Sequence, residues 1–190
     1  MPSDQVRSFV SIDLEDENVL SKVLSVISSL SNLGADLKTV ERDNIHLTLK
    51  FLGNLGPAKL SEVTSALSQV RFEPFSIEIK GAGAFPNLNR MNVIWVGIGE
   101  GWTTAEQIFE QTERLLHGVG FARETRPFSP HITIARVRSG RKRDEVAAFL
   151  EHLSDESFGS FNTNHIRLKQ SVLSPSGPTY STLFEVPAQK

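Results

Sequence analysis

One short pattern occurs twice in this chain and constrains its fold more than any other feature. The segments HLTL at residues 46–49 and HITI at residues 131–134 share the pattern His-x-Thr-x with apolar x, and they start 85 residues apart (131 − 46 = 85). In a random order of the chain's five histidines and eleven threonines, His-x-Thr is expected only about 0.3 times. The repeat therefore indicates an internal duplication.

The same offset aligns the elements around the two motifs. Ser8–Asp13, an apolar strand pattern, falls on Val93–Ile98, and Asn18–Leu33, which has helical periodicity, falls on Thr103–Gly118. Two copies are too few for a solenoid. We therefore expect one bilobal α+β domain over residues 1–190, whose two lobes are related by a pseudo-two-fold axis.

Apolar periodicity and turn residues predict the elements individually. Helices are expected at Asn18–Leu33, Pro57–Val70, Trp102–His117 and Arg141–Leu153. Strands are expected at Arg7–Leu14, Ile45–Leu52, Phe75–Lys80, Met91–Ile98, His131–Ala135, His165–Val172 and Tyr180–Val186. Gly81–Arg90, rich in Gly, Pro and Asn, is expected to be a loop, and SPSGP at residues 174–178 a turn.

Composition excludes several classes of protein. The 190 residues are 39% hydrophobic and 22% charged, which is typical of a globular protein and excludes disordered and collagen-like chains. No apolar run reaches the roughly 20 residues of a membrane span, and the N-terminal MPSDQVRS has no apolar signal region, so we expect a cytoplasmic protein without membrane contact. The absence of cysteine excludes disulfides, thiolate catalysis and Cys-ligated zinc.

Positive charge is concentrated in one stretch, although the net charge is −2. Between Phe121 and Arg143 there are seven Lys or Arg residues and one acid, Glu124. Such a local excess indicates an anionic ligand, while a solvated loop followed by a helix start explains it equally well.

The repeated motif points to acid–base chemistry. Alternate residues of a strand share a face, so His46 and Thr48 point one way while their apolar neighbours point into a core. His131 and Thr133 do the same, and a pseudo-two-fold axis could bring all four onto one ligand. Taken singly, either histidine is more simply a strand residue hydrogen-bonded nearby. As a pair in register, one imidazole can act as base and the other as acid.

Phosphodiester cleavage fits two imidazoles and two hydroxyl donors. One imidazole activates water, the other protonates the leaving alkoxide, and the threonine hydroxyls stabilise charge on the phosphoryl oxygens. A cyclic phosphodiester suits this set because its ring strain helps to expel the leaving oxygen. Metal binding is less expected because the motif offers no third ligand. Neither a Gly-x-Ser-x-Gly elbow nor a P-loop is present.

At these residues the sequence resembles the 2H phosphoesterase superfamily. The segments HLTLKFLG (residues 46–53) and RPFSPHITIARV (residues 126–137) carry that resemblance. RSFVSIDL near the N-terminus, VIWVGI at residues 93–98 and SVLSPSGPTYSTL at residues 171–183 are similar to its RNA 2′,3′-cyclic phosphodiesterase branch, also called 2′-5′ RNA ligase-like (LigT/ThpR).

The resemblance implies a fold, a reaction and residue roles. The fold is two antiparallel sheets, backed by helices, that face a central active-site groove. The reaction is hydrolysis of RNA 2′,3′-cyclic phosphate ends to 2′-phosphate, with no metal or other cofactor. His46 is then the general acid that protonates the 3′-oxygen and His131 the base that activates water. Thr48 and Thr133 contact the phosphate, and Arg136 binds substrate.

Four further candidates rest on the residues themselves. Lys50 continues the face of His46 and could edge the groove, or be solvated. Arg136 is out of phase with His131 on an ideal strand and needs a bulge or the strand's end to reach the groove. Phe128, between two prolines, could stack on a base, although a core position is more usual. Residues 141–143 could steer the RNA backbone, or begin a solvated helix.

Other functions remain open at this point. The chain could be a 2′-5′ RNA ligase that joins tRNA halves, a phosphodiesterase acting on small nucleotides, or an RNA-end-binding module without turnover. Both motifs are intact, which argues against the last of these. Nothing in the sequence requires more than a monomer.

Overall fold

The computed structural model describes residues 5–175 and 177–189, which form nine strands and four α-helices. The strands are β1 (Val6–Asp13), β2 (Leu37–Thr39), β3 (His46–Leu55), β4 (Phe75–Asn87), β5 (Arg90–Ile98), β6 (His131–Val137), β7 (Ser157–Thr163), β8 (His165–Ser174) and β9 (Gly177–Pro187). The helices are α1 (Glu17–Asn32), α2 (Pro57–Leu67), α3 (Trp102–Gly118) and α4 (Arg143–His152), and a short 3₁₀ turn spans Arg42–Asn44.

All nine strands belong to one antiparallel sheet, which confirms the α+β class. Eight of them follow the order β7-β4-β5-β6-β3-β1-β8-β9, and β2 pairs with the free part of β6. The two expected sheets are thus continuous, because β3 and β6 meet at the centre through the pair Leu47 and Ile132. These two residues stand 85 positions apart (132 − 47 = 85), so the equivalent motifs of the two halves face each other.

The helices bury their apolar sides against one face of this sheet. Helix α1 begins at an Asp16 cap, whose carboxylate accepts the backbone N–H groups of Asn18 and Val19. Helix α2 begins at Pro57, whose missing N–H costs nothing in the first turn. Helices α1, α3 and α4 contact β7, β3 and β4, and α2 packs on α3. The motif histidines are therefore left on the face that the helices do not cover.

The sequence-based boundaries are wrong in one place and incomplete in two. Gly81–Arg90, expected as a loop, is strand through Asn87 and then a tight turn into β5. Its glycines are a packing requirement, since a Cβ on Gly83 would lie 2.5 Å from the ring of Trp95. Strand β2 was not predicted because it has only three residues. Strand β7 was not predicted because Phe158 and Phe161 are out of strand alternation around Gly159, whose φ is 107°.

Two expectations fall partly outside the described residues. The N-terminal stretch that is expected to lack a signal region includes residues 1–4. The predicted turn between the last two strands includes Ser176. On either side of it, Ser174 pairs with Gly177, so β8 and β9 form the expected hairpin.

Candidate active site

The first motif forms the beginning of β3. Leu47 and Leu49 are buried, 1% and 4% exposed, on the helix side of the sheet. His46 and Thr48 therefore share the opposite face. The alternation predicted from the sequence holds across the whole motif.

The ring of His46 is held by hydrogen bonds on both nitrogens. Nδ1 donates to the carbonyl oxygen of Asn44 at 2.8 Å, because a carbonyl can only accept. In the neutral ring Nε2 then carries the lone pair and accepts the hydroxyl hydrogen of Thr48 at 3.0 Å. Phe9 stacks on the imidazole with 4.9 Å between centroids, and Tyr180 meets it edge-on at 5.3 Å. Both the orientation and the tautomer of His46 are thereby fixed.

His131 is held through the same ring nitrogen as His46. Its Nδ1 donates to the carbonyl oxygen of Ser129 at 2.7 Å. Asn44 and Ser129 are themselves 85 positions apart, so the two halves use equivalent carbonyls to fix equivalent tautomers. Phe85 lies edge-on to the ring at 4.8 Å, and Trp95 lies 6.5 Å away. Nε2 is again the nitrogen left for proton exchange with a ligand.

The central strand pair brings the motifs together. Because Leu47 lies opposite Ile132 in an antiparallel pair, the same register places His46 level with Thr133 and Thr48 level with His131. A cavity of about 750 Å³, here called the groove, is lined by His46, Thr48, Thr133, Arg136 and Tyr180, among others. His131 is half-buried two residues before Thr133 on the same face, just outside the lining of this cavity.

Burial favours the neutral form of both histidines. Desolvation lowers the pKa of His46 to about 4, against opposing contributions from the Asn44 carbonyl and the charge of Asp13. Desolvation also lowers the pKa of His131, and the carbonyl of Ser129 opposes it. At neutral pH both rings are uncharged in the empty groove. An anion bound beside them would raise both pKa values.

A bulge in β6 brings Arg136 to the groove, which is one of the two routes that the sequence allowed. In the pairing of β5 with β6, Ile94 faces Ala135 and Trp95 faces Thr133, so Ile134 is an extra residue. Ile134 and Ala135 are consecutive and both buried, and this reverses the alternation beyond them. Arg136 is therefore exposed and lines the groove.

An equivalent bulge in β3 takes Lys50 away from the groove. Val10 faces Lys50 and Ser11 faces Thr48, so Leu49 is the extra residue, 85 positions before Ile134. Lys50, predicted to edge the groove, instead points to the helix side. There its ammonium pairs with Glu113 of α3 and donates to the carbonyl of Ala122, with both charged side chains under 10% exposed. Phe51, 69% exposed, takes the groove position.

Phe128 also lies away from the groove. Its ring stacks on Phe109 of α3 with centroids 4.2 Å apart and planes 9° from parallel, and it packs against the main core. This position agrees with a packing role for Phe128 in the core and not with stacking on a base.

Several groove residues were not predicted from the sequence. Phe9, Phe51 and Tyr180 supply aromatic surface, and Arg7 and Lys38 supply positive charge. Burial raises the pKa of the Tyr180 phenol, although Arg136 and Arg7 act in the opposite direction. Phe51 is out of phase with His46 on an ideal strand, and it reaches the groove only because of the bulge at Leu49. The others depend on long-range pairing of β1, β2 and β9.

The described residues lack two features. No group of three or more His, Cys, Asp or Glu side chains in this part of the chain could hold a metal ion. Within the same ranges, no helix is long and apolar enough to cross a membrane.

The fold and site define a phosphoesterase built on two histidine motifs. A family profile described as LigT-like phosphoesterase matches residues 14–95 and again residues 100–180, one match in each half. The chain belongs to the LigT-like phosphoesterase family.

Known relatives extend over nearly the whole chain. The RNA 2′,3′-cyclic phosphodiesterase of Aeropyrum pernix is 38% identical over 170 residues, covering 90% of this chain and 97% of the relative. That of Archaeoglobus fulgidus is 40% identical over 181 residues, covering 94% and 98%. Among solved structures, Escherichia coli LigT in its apo form aligns with a TM-score of 0.79 at 22% identity, covering 99% of this chain and all of that one. This last likeness bears on the fold alone.

Proposed function

We propose that this chain hydrolyses the 2′,3′-cyclic phosphate end of RNA to a 2′-phosphate, without a metal ion. His46 acts as general acid, His131 as general base, Thr48 and Thr133 bind the phosphate, and Arg136 binds substrate. The observation that carries the proposal is the matched pair of imidazoles, each fixed through Nδ1 to a carbonyl at equivalent positions. The relatives named as RNA 2′,3′-cyclic phosphodiesterases support the substrate.

The chemistry requires two proton transfers. Nε2 of His131 takes a proton from water, and the water oxygen attacks phosphorus. The bond between phosphorus and the 3′-oxygen breaks, and Nε2–H of His46 protonates that oxygen. The products are a 3′-hydroxyl and a 2′-phosphate monoester. His131 ends protonated and His46 neutral, and exchange with solvent restores both.

The phosphate itself is part of this mechanism. In the empty groove His46 is neutral, because burial lowers its pKa to about 4. A bound phosphodiester anion beside the ring favours the imidazolium and supplies the acid that the reaction needs. The hydroxyls of Thr48 and Thr133 donate to the non-bridging oxygens as charge develops on them. Binding and acid activation are thereby coupled.

The decisive experiment uses an oligoribonucleotide that ends in a 2′,3′-cyclic phosphate. The purified protein is incubated with it in excess EDTA, and ³¹P NMR identifies the product. We expect conversion to a 2′-phosphate, with the rate reduced at least about 10²-fold by His46→Ala and by His131→Ala. His152→Ala is the matched control, since this exposed histidine lies at the end of α4 and outside the groove.

Other products would point to other functions. A 3′-phosphate product would reverse the assignment of the leaving oxygen. Loss of conversion in EDTA would show that the reaction needs a metal ion. If tRNA halves were joined instead, the ligase activity would take its place, and RNA binding with no conversion of any cyclic end would make the chain a binding module.

A further inference from the structure

A second concave surface lies outside the groove and has an apolar floor with a basic rim. This cavity of about 310 Å³, here called the arginine pocket, is lined by Arg90, Arg138, Arg141 and Arg143. Its floor includes the buried Met91 and Val146 and the half-buried Leu37 and Val137. The β4–β5 turn, the segment before β2 and the loop before α4 all contribute to it. Its volume is sufficient for one nucleotide.

Positive charge in this pocket is only partly neutralised. No acidic residue is among those that line it. Arg143 pairs with Asp144, and both side chains are more than half exposed. Arg141 donates through Nε to the carbonyl of Gly34 at 2.7 Å, which leaves its charge unpaired. In the part of the chain that the structure describes, Arg90 and Arg138 have no carboxylate partner. Four guanidinium groups, of which one is paired with a carboxylate outside the lining, fit a phosphate-bearing ligand.

The arginine pocket adjoins the groove along a single strand pair. In the ladder of β2 and β6, Lys38 pairs with Arg136, and both line the groove. The next pair, Leu37 and Val137, lines the arginine pocket. Arg136 and Arg138 are two residues apart, which is about 7 Å along an extended strand. Adjacent residues of a strand point to opposite faces, so Leu37 and Val137 face away from the groove, and the arginine pocket lies around the end of β6. A strand of nucleic acid whose end lies in the groove would reach this pocket by passing Arg138 at that end.

We propose that the arginine pocket binds the phosphodiester backbone of the RNA strand on the 5′ side of its cyclic end. The inference rests on the proposed function in taking RNA as the ligand of the groove. It assigns a role to the basic stretch of the sequence that the catalytic motif does not use. Its contacts are to phosphate, so they add affinity for longer substrates without reading base sequence.

The test compares a long and a short ligand in the same variants. Fluorescence anisotropy measures binding of an oligoribonucleotide of about ten residues with a 2′-phosphate end, and competition measures binding of the mononucleotide 2′-phosphate. The variant Arg90→Ala/Arg138→Ala removes two of the three unpaired charges and leaves the bond of Arg141 to the Gly34 carbonyl in place. Lys22→Ala/Arg114→Ala removes the same charge from exposed positions on α1 and α3, outside both cavities. Circular dichroism verifies that both variants are folded.

We expect the pocket variant to bind the oligonucleotide about tenfold more weakly and the mononucleotide unchanged. The slope of log affinity against log salt should fall by about 0.7 for each phosphate that the variant no longer binds. Equal weakening in the control variant, or an unchanged oligonucleotide affinity, would contradict the inference. These readouts are binding constants and do not depend on turnover. Failure of the proposed function would be seen separately, as no conversion of the cyclic end by the wild-type protein.

Discussion

The two histidines determine how the reaction depends on pH. The mechanism needs His131 neutral and His46 protonated, and burial lowers both pKa values below 6.5, that of His46 to about 4. A plot of kcat/KM reports the free enzyme, so we expect a bell whose two limbs both lie below pH 6.5. The kcat profile reports the complex, in which the phosphate raises the pKa of His46, and its maximum should lie at higher pH. A kcat/KM that rises steadily through about pH 9 would contradict the pair mechanism.

The two threonines should contribute to rate more than to binding. Each hydroxyl is placed to donate to a phosphoryl oxygen, and loss of one such donor typically costs about 10²–10³ in rate. We therefore expect Thr48→Ala and Thr133→Ala each to lower kcat on that scale, whereas Thr→Ser variants keep the donor and most of the activity. Thr48→Ala also removes the bond to Nε2 of His46, so it should shift the pH profile as well. Silent alanine variants at both positions would exclude the phosphate-binding role.

At the level of elements, the buried pair of Lys50 and Glu113 ties β3 to α3. Glu113 also accepts the backbone N–H of Glu124 at 2.8 Å, in the segment that leads to the second motif. Glu113→Gln leaves the Lys50 charge buried without its partner, and we expect it to lower the free energy of unfolding by about 3–5 kcal/mol. The exposed pair of Lys59 and Glu62 provides the control, since Glu62→Gln should cost less than about 1 kcal/mol. Urea unfolding measures both, and equal effects would contradict the assignment.

Some features of the strands and helices can be predicted from local sequence patterns, and others cannot. The two motif strands, their faces and the four helices are local features, set by alternation and periodicity. The faces of the sheet on which Lys50 and Arg136 lie are not set locally. Each depends on one extra residue in its own strand relative to the neighbouring strand. A bulge at Leu49 or Ile134 leaves no mark in a pattern of apolar residues. For β6, the sequence indicates only that Arg136 needs a bulge or the end of the strand to reach the groove.

On the scale of the whole molecule, each side of the sheet draws strands from both halves of the chain. Strand β4 follows the first motif in sequence but pairs with β5, and β8 follows the second motif but pairs with β1. Neither half can complete a sheet alone. We expect one cooperative unfolding transition rather than two.

Spectroscopy can test this cooperativity directly. Both tryptophans lie close together in sequence, Trp95 in β5 and Trp102 at the start of α3, so fluorescence reports this region while far-ultraviolet circular dichroism reports the whole molecule. The two midpoints in urea should coincide. A fragment that starts at residue 89 and lacks β1, β3 and β4 should not fold. Separate midpoints would indicate two independently stable lobes.

The paired bulges have one more consequence. Residues 51 and 136 occupy equivalent places (136 − 51 = 85), yet one is Phe and the other Arg. A groove with perfect two-fold symmetry would accept a ligand in either of two opposite orientations with equal affinity. A chain of nucleotides has a polarity, and only one orientation puts its charge on the guanidinium and its aromatic part on the ring. The duplicated scaffold supplies a matched pair of catalytic motifs, and this broken equivalence helps to give the groove a direction.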